Sequence, residues 1–306
     1  MSIERHLIVI GGPTAAGKTD LAVALAKRFD CEIISADSRQ FYKELSIGTA
    51  KPSKEQLSAV RHHFIDNCSI FDPFDIHRFE KEALELLTEY FIEKPLAIAV
   101  GGSGLYLDAL IKGIDDLPAR DEKVRKSLEE SLLDDGIGAL QEMLWKIDPE
   151  SARSIDLQNP VRLIRTLEIC KTSGVPASSL RSRKVIERAF ESILVAVSPE
   201  RETLYQRINA RVDRMMEQGL LDEVRSLLQY KELQTLRTVG YTELFGYLDG
   251  QTDLQTAKDL IRQHSRNYAK RQLTWFRNKG NYEWFQPDET DAVAKHIHEI
   301  IRNNRG

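Results

Sequence analysis

The chain has 306 residues, a length that allows two domains or one domain carrying an insertion. Apolar residues make up 42% of it and charged residues 29%, which excludes a disordered or fibrous protein. The net charge of −4 excludes a uniformly basic coat for nucleic acid, although it permits a local basic patch.

Cysteine usage and hydropathy narrow the class of protein further. Cys31, Cys68 and Cys170 lie far apart and form no C-x-x-C pair, which disfavours a disulfide framework and a structural zinc site. The first apolar run is too short for a secretory leader, and no stretch approaches the ~20 apolar residues of a membrane span. We therefore expect a cytoplasmic protein.

Four short apolar runs predict strands, and each is continuous rather than alternating, as in a parallel sheet buried on both faces. They are His6–Ile10, Glu32–Ser35, Leu96–Val100 and Ile193–Val197. A helical pattern over Lys18–Phe29 separates the first two runs and completes a β-α-β unit. A second amphipathic helix, Phe74–Phe91, leads into the third run.

The third and fourth runs are separated by about 90 residues, far more than a connection between neighbouring strands needs. Apolar residues at helical spacing across Asp121–Ala189 predict a helical insertion that opens near Leu117-Pro118. The predicted domains are a core formed by residues 1–118 and 190–306, and a helical insertion at 119–189. After the fourth run, helices are predicted over Arg201–Glu217, Leu220–Tyr230, Leu254–Phe276 and Asp291–Arg302.

The sharpest motif follows the first run. Gly12-Pro13-Thr14-Ala15-Ala16-Gly17-Lys18-Thr19 matches G-x-x-x-x-G-K-[ST] in full, between a predicted strand and a predicted helix. In that setting, backbone N–H groups and the helix N-terminus surround phosphate oxygens. Lys18 then contacts the outer phosphates, and Thr19 offers its hydroxyl to Mg²⁺. The alternative is a chance glycine-rich turn.

The polar residues that follow the other strands argue against simple ATP hydrolysis. The third run ends in Gly101-Gly102-Ser103-Gly104, without the aspartate that supports Mg²⁺ in standard NTPases. The acid stands after the second run, as Asp37. Because ligands bind at the carboxyl ends of parallel strands, Asp37 and Ser103 should face the phosphate loop. A turn or helix cap for Asp37 and a plain turn residue for Ser103 are the alternatives.

Further motifs follow in order along nearly the whole chain. They are S-A-D-S-R-Q-F-Y at 35–42, I-G-T-A-K-P at 47–52, H-H-F-I-D at 62–66, V-G-G-S-G-L-Y at 100–106, Arg207–Gly219, V-G-Y at 239–241 and K-R-Q-L-T-W-F at 270–276. Together with the phosphate loop they closely resemble the bacterial tRNA dimethylallyltransferases, the tRNA isopentenyltransferase family. The resemblance implies an α/β fold: a P-loop NTPase-like parallel-sheet core with a helical insertion domain that binds tRNA.

The resemblance also implies a reaction. Such enzymes transfer the dimethylallyl group from dimethylallyl diphosphate to the exocyclic amine of the adenosine immediately 3′ of the anticodon, and release diphosphate. The loop Gly12–Thr19 would hold that diphosphate, with Lys18, Ser103, Arg211 and Mg²⁺ stabilising its charge. Asp37 matches the family's catalytic aspartate, which accepts a proton from the attacking amine.

Arg211 belongs to a helical face that also carries Arg207 and Arg214. The alternative for this face is a solvated surface on which the arginines pair with Asp213 or Glu217. Of the three, only Arg211 matches the family's diphosphate ligand.

For tRNA, the resemblance implies contacts from both parts of the chain. Asp37, Ser38, Arg39, Gln40 and Ser103 would lie against the target adenosine and its neighbours, and Arg125, Arg162 and Arg165 would bind from the insertion. The family usually has threonine at the position of Ser103, which keeps the hydroxyl. It has glutamine at the position of Val161, so we expect no RNA contact there.

A basic segment, Leu260–Tyr282, contains no acidic residue. Arg262, Arg266 and Lys270 fall on one face of its predicted helix and favour a track for a phosphate backbone. Tyr268, Trp275 and Phe276 are interleaved with them; they could stack on bases, but helical spacing is more typical of core residues.

Two other functions remain open from the sequence. A nucleotide or small-molecule kinase would use the same phosphate loop, and a non-catalytic RNA-binding switch would leave tRNA chemically unchanged. We expect a monomer whose partners are tRNA and dimethylallyl diphosphate, with no membrane partner.

Overall fold

The computed structural model describes residues 4–72, 74–181 and 186–303, and the chain divides into two compact units. The core unit comprises Met1–Ile111 and Glu187–Gly306, and the insertion unit comprises Lys112–Ile186. The first boundary thus precedes the Leu117-Pro118 pair at which the sequence predicted it. Leu117 packs against Ile169, Cys170 and Ala177, which are insertion residues.

The core unit is built on a six-stranded sheet in which every pairing is parallel. The strands are β1 (His6–Gly11), β2 (Ile33–Ser35), β3 (His62–His63), β4 (Leu96–Val100), β5 (Glu191–Val197) and β6 (Glu283–Phe285), in the order β3-β2-β4-β1-β5-β6. The four predicted strands are confirmed. The sequence missed β3 and β6, which are edge strands of two and three residues and therefore too short to give an apolar run.

Thirteen α-helices lie within the described residues: α1 (Lys18–Phe29), α2 (Lys54–Ala59), α3 (Ile76–Glu93), α4 (Gly104–Lys112), α5 (Glu122–Ile147), α6 (Pro149–Ser154), α7 (Pro160–Ser173), α8 (Ala177–Leu180), α9 (Arg201–Glu217), α10 (Leu220–Ser226), α11 (Tyr241–Leu248), α12 (Leu254–Lys279) and α13 (Thr290–Asn303). The helix predicted over Leu220–Tyr230 was wrong beyond Ser226, where a 3₁₀ turn at Leu228–Tyr230 follows. None of the described helices is both long enough and apolar enough to cross a membrane.

The sheet carries an apolar core on each face. Leu7 and Val9 of β1 point into one core, and Ile8 and Ile10 point into the other. All four side chains are fully buried, as the continuous apolar run predicted. Because both faces are covered, polar ligands are confined to the ends of the strands.

The insertion unit is helical, from α5 to α8. α5 is interrupted at Gly136, whose φ of 78° and ψ of 176° break the helix between the two apolar patterns read from the sequence. Leu128, Leu140, Leu163 and Leu167 form its core. Thus the unit has its own apolar interior.

Candidate active site

The phosphate loop joins β1 to α1 and depends on two glycines. Gly12 has a φ of 143°, and a Cβ there would lie 2.3 Å from the carbonyl oxygen of Val197. Gly17 has a φ of 92°, a backbone conformation that other residues adopt only with strain. The glycine spacing of the motif therefore follows from the backbone path that ends at the N-terminus of α1.

Two partly buried cations lie beside this loop. The Lys18 ammonium donates to the carbonyl oxygen of Pro13 at 2.7 Å, and the Arg211 guanidinium donates to the Thr14 hydroxyl at 2.9 Å. Burial lowers the pKa of Lys18 to about 8; the Asp37 carboxylate opposes this shift and Arg211 adds to it. Burial also lowers the pKa of Arg211 against the influence of Asp37. Both shifts indicate positive charge that an anionic ligand would stabilise.

Asp37 lies directly beyond β2, and its carboxylate has a local partner. Its Oδ1 accepts the backbone N–H of Arg39 at 3.0 Å, so the predicted turn cap is present. The same residue also lines the cavities described next. The cap therefore orients the carboxylate without removing it from the site.

Two cavities of the core unit meet at Asp37. The loop cavity, about 1190 Å³, is lined by Thr14–Asp20 and by the loop from Ser46 to Lys54. The helix cavity, about 670 Å³, is lined mainly by α9, α11 and α12. Six residues line both: Thr14, Asp37, Thr49, Arg211, Met215 and Tyr268. A ligand in each cavity would therefore meet beside the carboxylate and the guanidinium.

Ser103 lies at the end of β4 but belongs to the lining of neither cavity, whereas Gly101 and Gly102 line the loop cavity. The Ser103 side chain instead lies close enough to Tyr268 of α12 to affect its pKa. Burial raises the pKa of Tyr268, and the Asp37 charge raises it further, while the Ser103 side chain lowers it. The predicted contact of Ser103 with the diphosphate or the adenosine therefore stays a prediction.

The K-R-Q-L-T-W-F motif lies on α12 and packs against Gly11 of β1 and against the glycines that follow β4. The Gln272 side chain accepts the Thr14 N–H at 2.8 Å and donates to the carbonyl oxygen of Gly102 at 2.9 Å. A Cβ added to Gly102 would lie 2.2 Å from the Gln272 amide nitrogen, and one on Gly104 would lie 2.1 Å from Trp275. The K-R-Q-L-T-W-F motif and the V-G-G-S-G-L-Y motif are therefore complementary in shape.

The three aromatic residues of this segment have different environments. Phe276 is fully buried and Trp275 packs against the same core, so the core interpretation is confirmed for both. Tyr268 is 36% exposed and lines both cavities. The sequence could not separate the three, because all of them fit a helical pattern.

The I-G-T-A-K-P loop is held by residues whose role sequence reasoning missed. The Glu223 carboxylate of α10 accepts the N–H groups of Ser46, Ile47 and Gly48 at 2.8–3.1 Å and the Tyr241 hydroxyl at 2.6 Å. Lys51 pairs with Asp66 of the H-H-F-I-D motif. These bonds fix the wall of the loop cavity opposite the phosphate loop.

The residues predicted to contact RNA after Asp37 differ in how far the protein itself already engages their side chains. Ser38 and Arg39 line the helix cavity, although the Arg39 guanidinium also donates to the carbonyl oxygen of Thr235 at 3.0 Å. The Gln40 amide accepts from Ser35 and donates to the carbonyl oxygens of Thr49 and Ala50. Gln40 therefore anchors the loop, and an RNA contact from it stays a prediction.

The alternative in which the arginines of α9 pair with Asp213 of the same helix was wrong. That acid pairs with Arg262 and Lys258 of α12, while Arg207 and Arg214 line the loop cavity beside Arg211. Arg262 also pairs with Asp259, and Arg266 donates to Asn209 of α9 at 2.8 Å. Of the proposed phosphate track, Arg262 and Arg266 instead tie α12 to α9, and Lys270 is exposed.

The insertion arginines also divide into two kinds. Arg125 and Arg165 lie 3.2 and 3.3 Å from the fully buried carboxylate of Glu168, which also accepts the N–H of Asp121. Arg162 is exposed in the first turn of α7. Two of the three predicted tRNA contacts are thus engaged within the insertion unit.

A magnesium site would rest on Thr19, which lines the loop cavity next to Lys18. Mg²⁺ prefers oxygen ligands and is held mainly by substrate phosphates, water and few protein groups. Across the described residues, no group of three or more His, Cys, Asp or Glu could hold a metal. The single Thr19 hydroxyl beside Lys18 fits an ion that would bind together with a diphosphate.

A glycine-rich phosphate loop at the carboxyl end of a parallel sheet defines a P-loop protein. Residues 40–279 match the profile of the IPP transferase family. A tRNA dimethylallyltransferase from Christiangramia forsetii is 48% identical over 98% of this chain and 99% of its own. The chain therefore belongs to the IPP transferase family.

Solved structures agree with this assignment. A tRNA isopentenylpyrophosphate transferase from Bacillus halodurans is 38% identical, with a TM-score of 0.72 over 98% of both chains. A eukaryotic dimethylallyltransferase acting on tRNA has a TM-score of 0.75 over 97% of this chain and 77% of its own, and at 24% identity it bears on the fold alone. The P-loop NTPase-like fold is confirmed, the chain is a prenyltransferase, and the kinase alternative is not favoured.

Proposed function

We propose that this prenyltransferase moves the dimethylallyl group of dimethylallyl diphosphate to the exocyclic amine of the adenosine immediately 3′ of a tRNA anticodon, releasing diphosphate. The observation that carries the proposal is the meeting of two cavities at Asp37 and Arg211. One cavity offers a phosphate loop with two partly buried cations, and the other offers a space of about 670 Å³ with both polar and apolar walls. A donor and an acceptor can therefore enter separately and react at the junction.

On the donor side, the chain's own residues stabilise the leaving group. The bond between the allylic carbon and the diphosphate oxygen breaks, and its electron pair stays on the diphosphate. Lys18, Arg211 and the phosphate loop line the cavity in which that negative charge develops, so their donors can stabilise it there. Mg²⁺ held by Thr19 and the phosphates would supply further positive charge there.

On the acceptor side, the adenine amine is a weak nucleophile because its lone pair is delocalised into the ring. As the nitrogen forms its bond to the allylic carbon, it loses a proton, which the Asp37 carboxylate accepts. The Arg39 N–H bond to Asp37 keeps the carboxylate directed at the junction. For the amine to reach it, the adenosine must leave the base stack and enter the helix cavity.

The direct test is prenylation in vitro of an anticodon stem-loop that carries adenosine or guanosine at the target position. We expect dimethylallyl-adenosine, detected by mass spectrometry of the nucleosides, and one diphosphate released per transfer. The guanosine substrate should remain unmodified. An adenosine substrate that also remains unmodified under single-turnover conditions would contradict the proposal.

Parallel reactions separate the other functions. ADP formed from ATP and a small acceptor would indicate a kinase, and RNA binding without covalent change would indicate a switch. Transfer to free adenosine monophosphate in preference to RNA would indicate that the acceptor is a free nucleotide and not tRNA. The two enzymatic outcomes give different products and the switch gives none, so one set of assays distinguishes them.

A further inference from the structure

The junction of the two cavities contains two side chains that the proposed chemistry leaves without a role. Thr14, Asp37, Thr49 and Arg211 have polar ends that are already hydrogen-bonded. The other two shared residues, Met215 and Tyr268, bring the apolar surface. A thioether and an aromatic ring thus lie where the two cavities meet.

This placement would put apolar surface next to the hydrocarbon part of the donor, if the proposed function holds. With the diphosphate in the loop cavity and the amine in the helix cavity, the reacting carbon must lie at the junction. The two methyl groups of the donor are then beside it. They gain free energy only from apolar neighbours that exclude water.

Met215 lies one helical turn after Arg211 on α9, so the two side chains share a face of that helix. Met215 is partly buried and packs against the core that α12 also contributes to. One rigid element therefore holds both a cation for the diphosphate and a hydrophobic contact for the chain attached to it. Methionine is also flexible and polarisable, so its volume closes an irregular gap.

Tyr268 contributes from α12. The Arg271 guanidinium lies 5.7 Å from its ring centroid, and the Ser103 side chain lies near its hydroxyl. These contacts hold a half-exposed ring that would otherwise be free to rotate. An aromatic face near an allylic carbon stabilises the positive charge that develops when the diphosphate leaves.

We infer that Met215 and Tyr268 form the pocket for the donor's hydrocarbon chain, and that Met215 limits its length to five carbons. A longer allylic diphosphate reacts by the same balanced step, with its C–O electrons going to diphosphate and the amine proton going to Asp37. Its extra carbons, however, would collide with the Met215 side chain. The selection is therefore steric and acts on the donor alone.

The test compares three donors on the same adenosine stem-loop: dimethylallyl diphosphate, its homologue longer by one methylene at the far end, and geranyl diphosphate. One methylene in a hydrophobic pocket changes kcat/KM by roughly tenfold or more. We expect Met215→Ala to raise the ratio of kcat/KM for each longer donor over dimethylallyl diphosphate by at least about tenfold. Tyr268→Leu should lower kcat with little change in the donor's KM, because the ring acts on the charged transition state.

Met216→Ala is the matched control. Met216 is the next residue of α9, packs against the same core, and belongs to the lining of neither cavity described above. It should leave the donor ratio unchanged. Met215→Leu, which keeps most of the volume, should retain the preference for five carbons and covers the case in which the alanine variant does not fold.

The outcomes separate the two proposals. A wild-type chain that prenylates RNA while Met215→Ala keeps the wild-type donor ratio would overturn the pocket and leave the proposed function intact. The same holds if Met216→Ala relaxes the ratio equally, since the effect would then come from general loosening of α9. A wild-type chain that transfers nothing from any donor would instead contradict the proposed function.

Discussion

The basic residues of the core unit and those of the insertion unit differ in what neutralises them. Around the phosphate loop, Lys18 and Arg211 donate to uncharged oxygens, and Asp37 is the acid that influences both. In the insertion unit, Arg125 and Arg165 converge on the buried Glu168 carboxylate. The first pair has charge left for a ligand, whereas the second pair is compensated within the protein.

This difference shows how to interpret arginines that a family resemblance marks as functional. A partly buried cation whose pKa is lowered indicates charge that the fold does not compensate, which is the property an anion site requires. A cation beside a buried carboxylate is explained by the fold itself, because the unpaired carboxylate would be costly. Substitutions in the two regions should therefore fail in different ways, one in chemistry and the other in folding.

The largest effect is expected at Asp37. Asp37→Asn keeps an oxygen that can accept the Arg39 N–H but cannot take a proton, so it separates the turn cap from the base. We expect both Asp37→Asn and Asp37→Ala to lower the single-turnover rate of prenylation by roughly 10³-fold, with stem-loop affinity nearly unchanged. A near-normal rate for the asparagine variant would show that Asp37 is not the base and only caps the turn.

Lys18→Ala should follow, with losses in both binding and turnover. Removing one prepositioned donor to developing negative charge costs roughly 10²–10³-fold in rate, and the affinity for diphosphate should fall as well. Stopped assays with labelled donor and calorimetry with Mg²⁺ and diphosphate measure the two effects. Lys27→Ala, an exposed lysine near the other end of α1, is the control. If Lys18→Ala bound diphosphate as tightly as the wild type, the diphosphate would not bind at the phosphate loop as proposed.

In the insertion unit, Glu168→Gln should act on stability. The substitution leaves Arg125 and Arg165 without their buried acid and should lower the free energy of unfolding by about 3 kcal/mol. Chemical unfolding monitored by circular dichroism measures it. Glu129→Gln removes the half-exposed partner of Arg125, so it should cost under about 1 kcal/mol. Equal effects from the two variants would mean that Glu168 does not organise the cluster.

Much of the core unit followed from the sequence, because its signals are local. The bounds of α1 and α9 agree with the predicted ranges. Each helix has its own apolar periodicity, and a glycine or a proline lies just before it: Gly17 before α1 and Pro199 before α9. The phosphate loop was recognisable for the same reason. Its strand, turn and helix are consecutive in the chain.

The contacts that shape the site were not predictable, because they join distant segments. Gln272 reaches Thr14 across 258 positions, and Glu223 reaches Ile47 across 176. No local pattern distinguishes these side chains from exposed ones on the same helices. The same limit applies to Arg125 and Arg165, because the burial of Glu168 emerges only when α5 packs against α7.

The smallest expected effect is at Arg162, which separates RNA contact from folding within one helix. Arg162 is exposed, so Arg162→Ala should leave the unfolding temperature unchanged, while Arg165→Ala should lower it by removing a partner of Glu168. If Arg162 contacts a tRNA phosphate, its loss should weaken stem-loop binding by a few-fold and reduce the salt dependence by about one phosphate. Binding titrations at several salt concentrations measure both. An unchanged salt slope for Arg162→Ala would leave the insertion unit without a demonstrated phosphate contact, because its other two predicted arginines are already paired with Glu168.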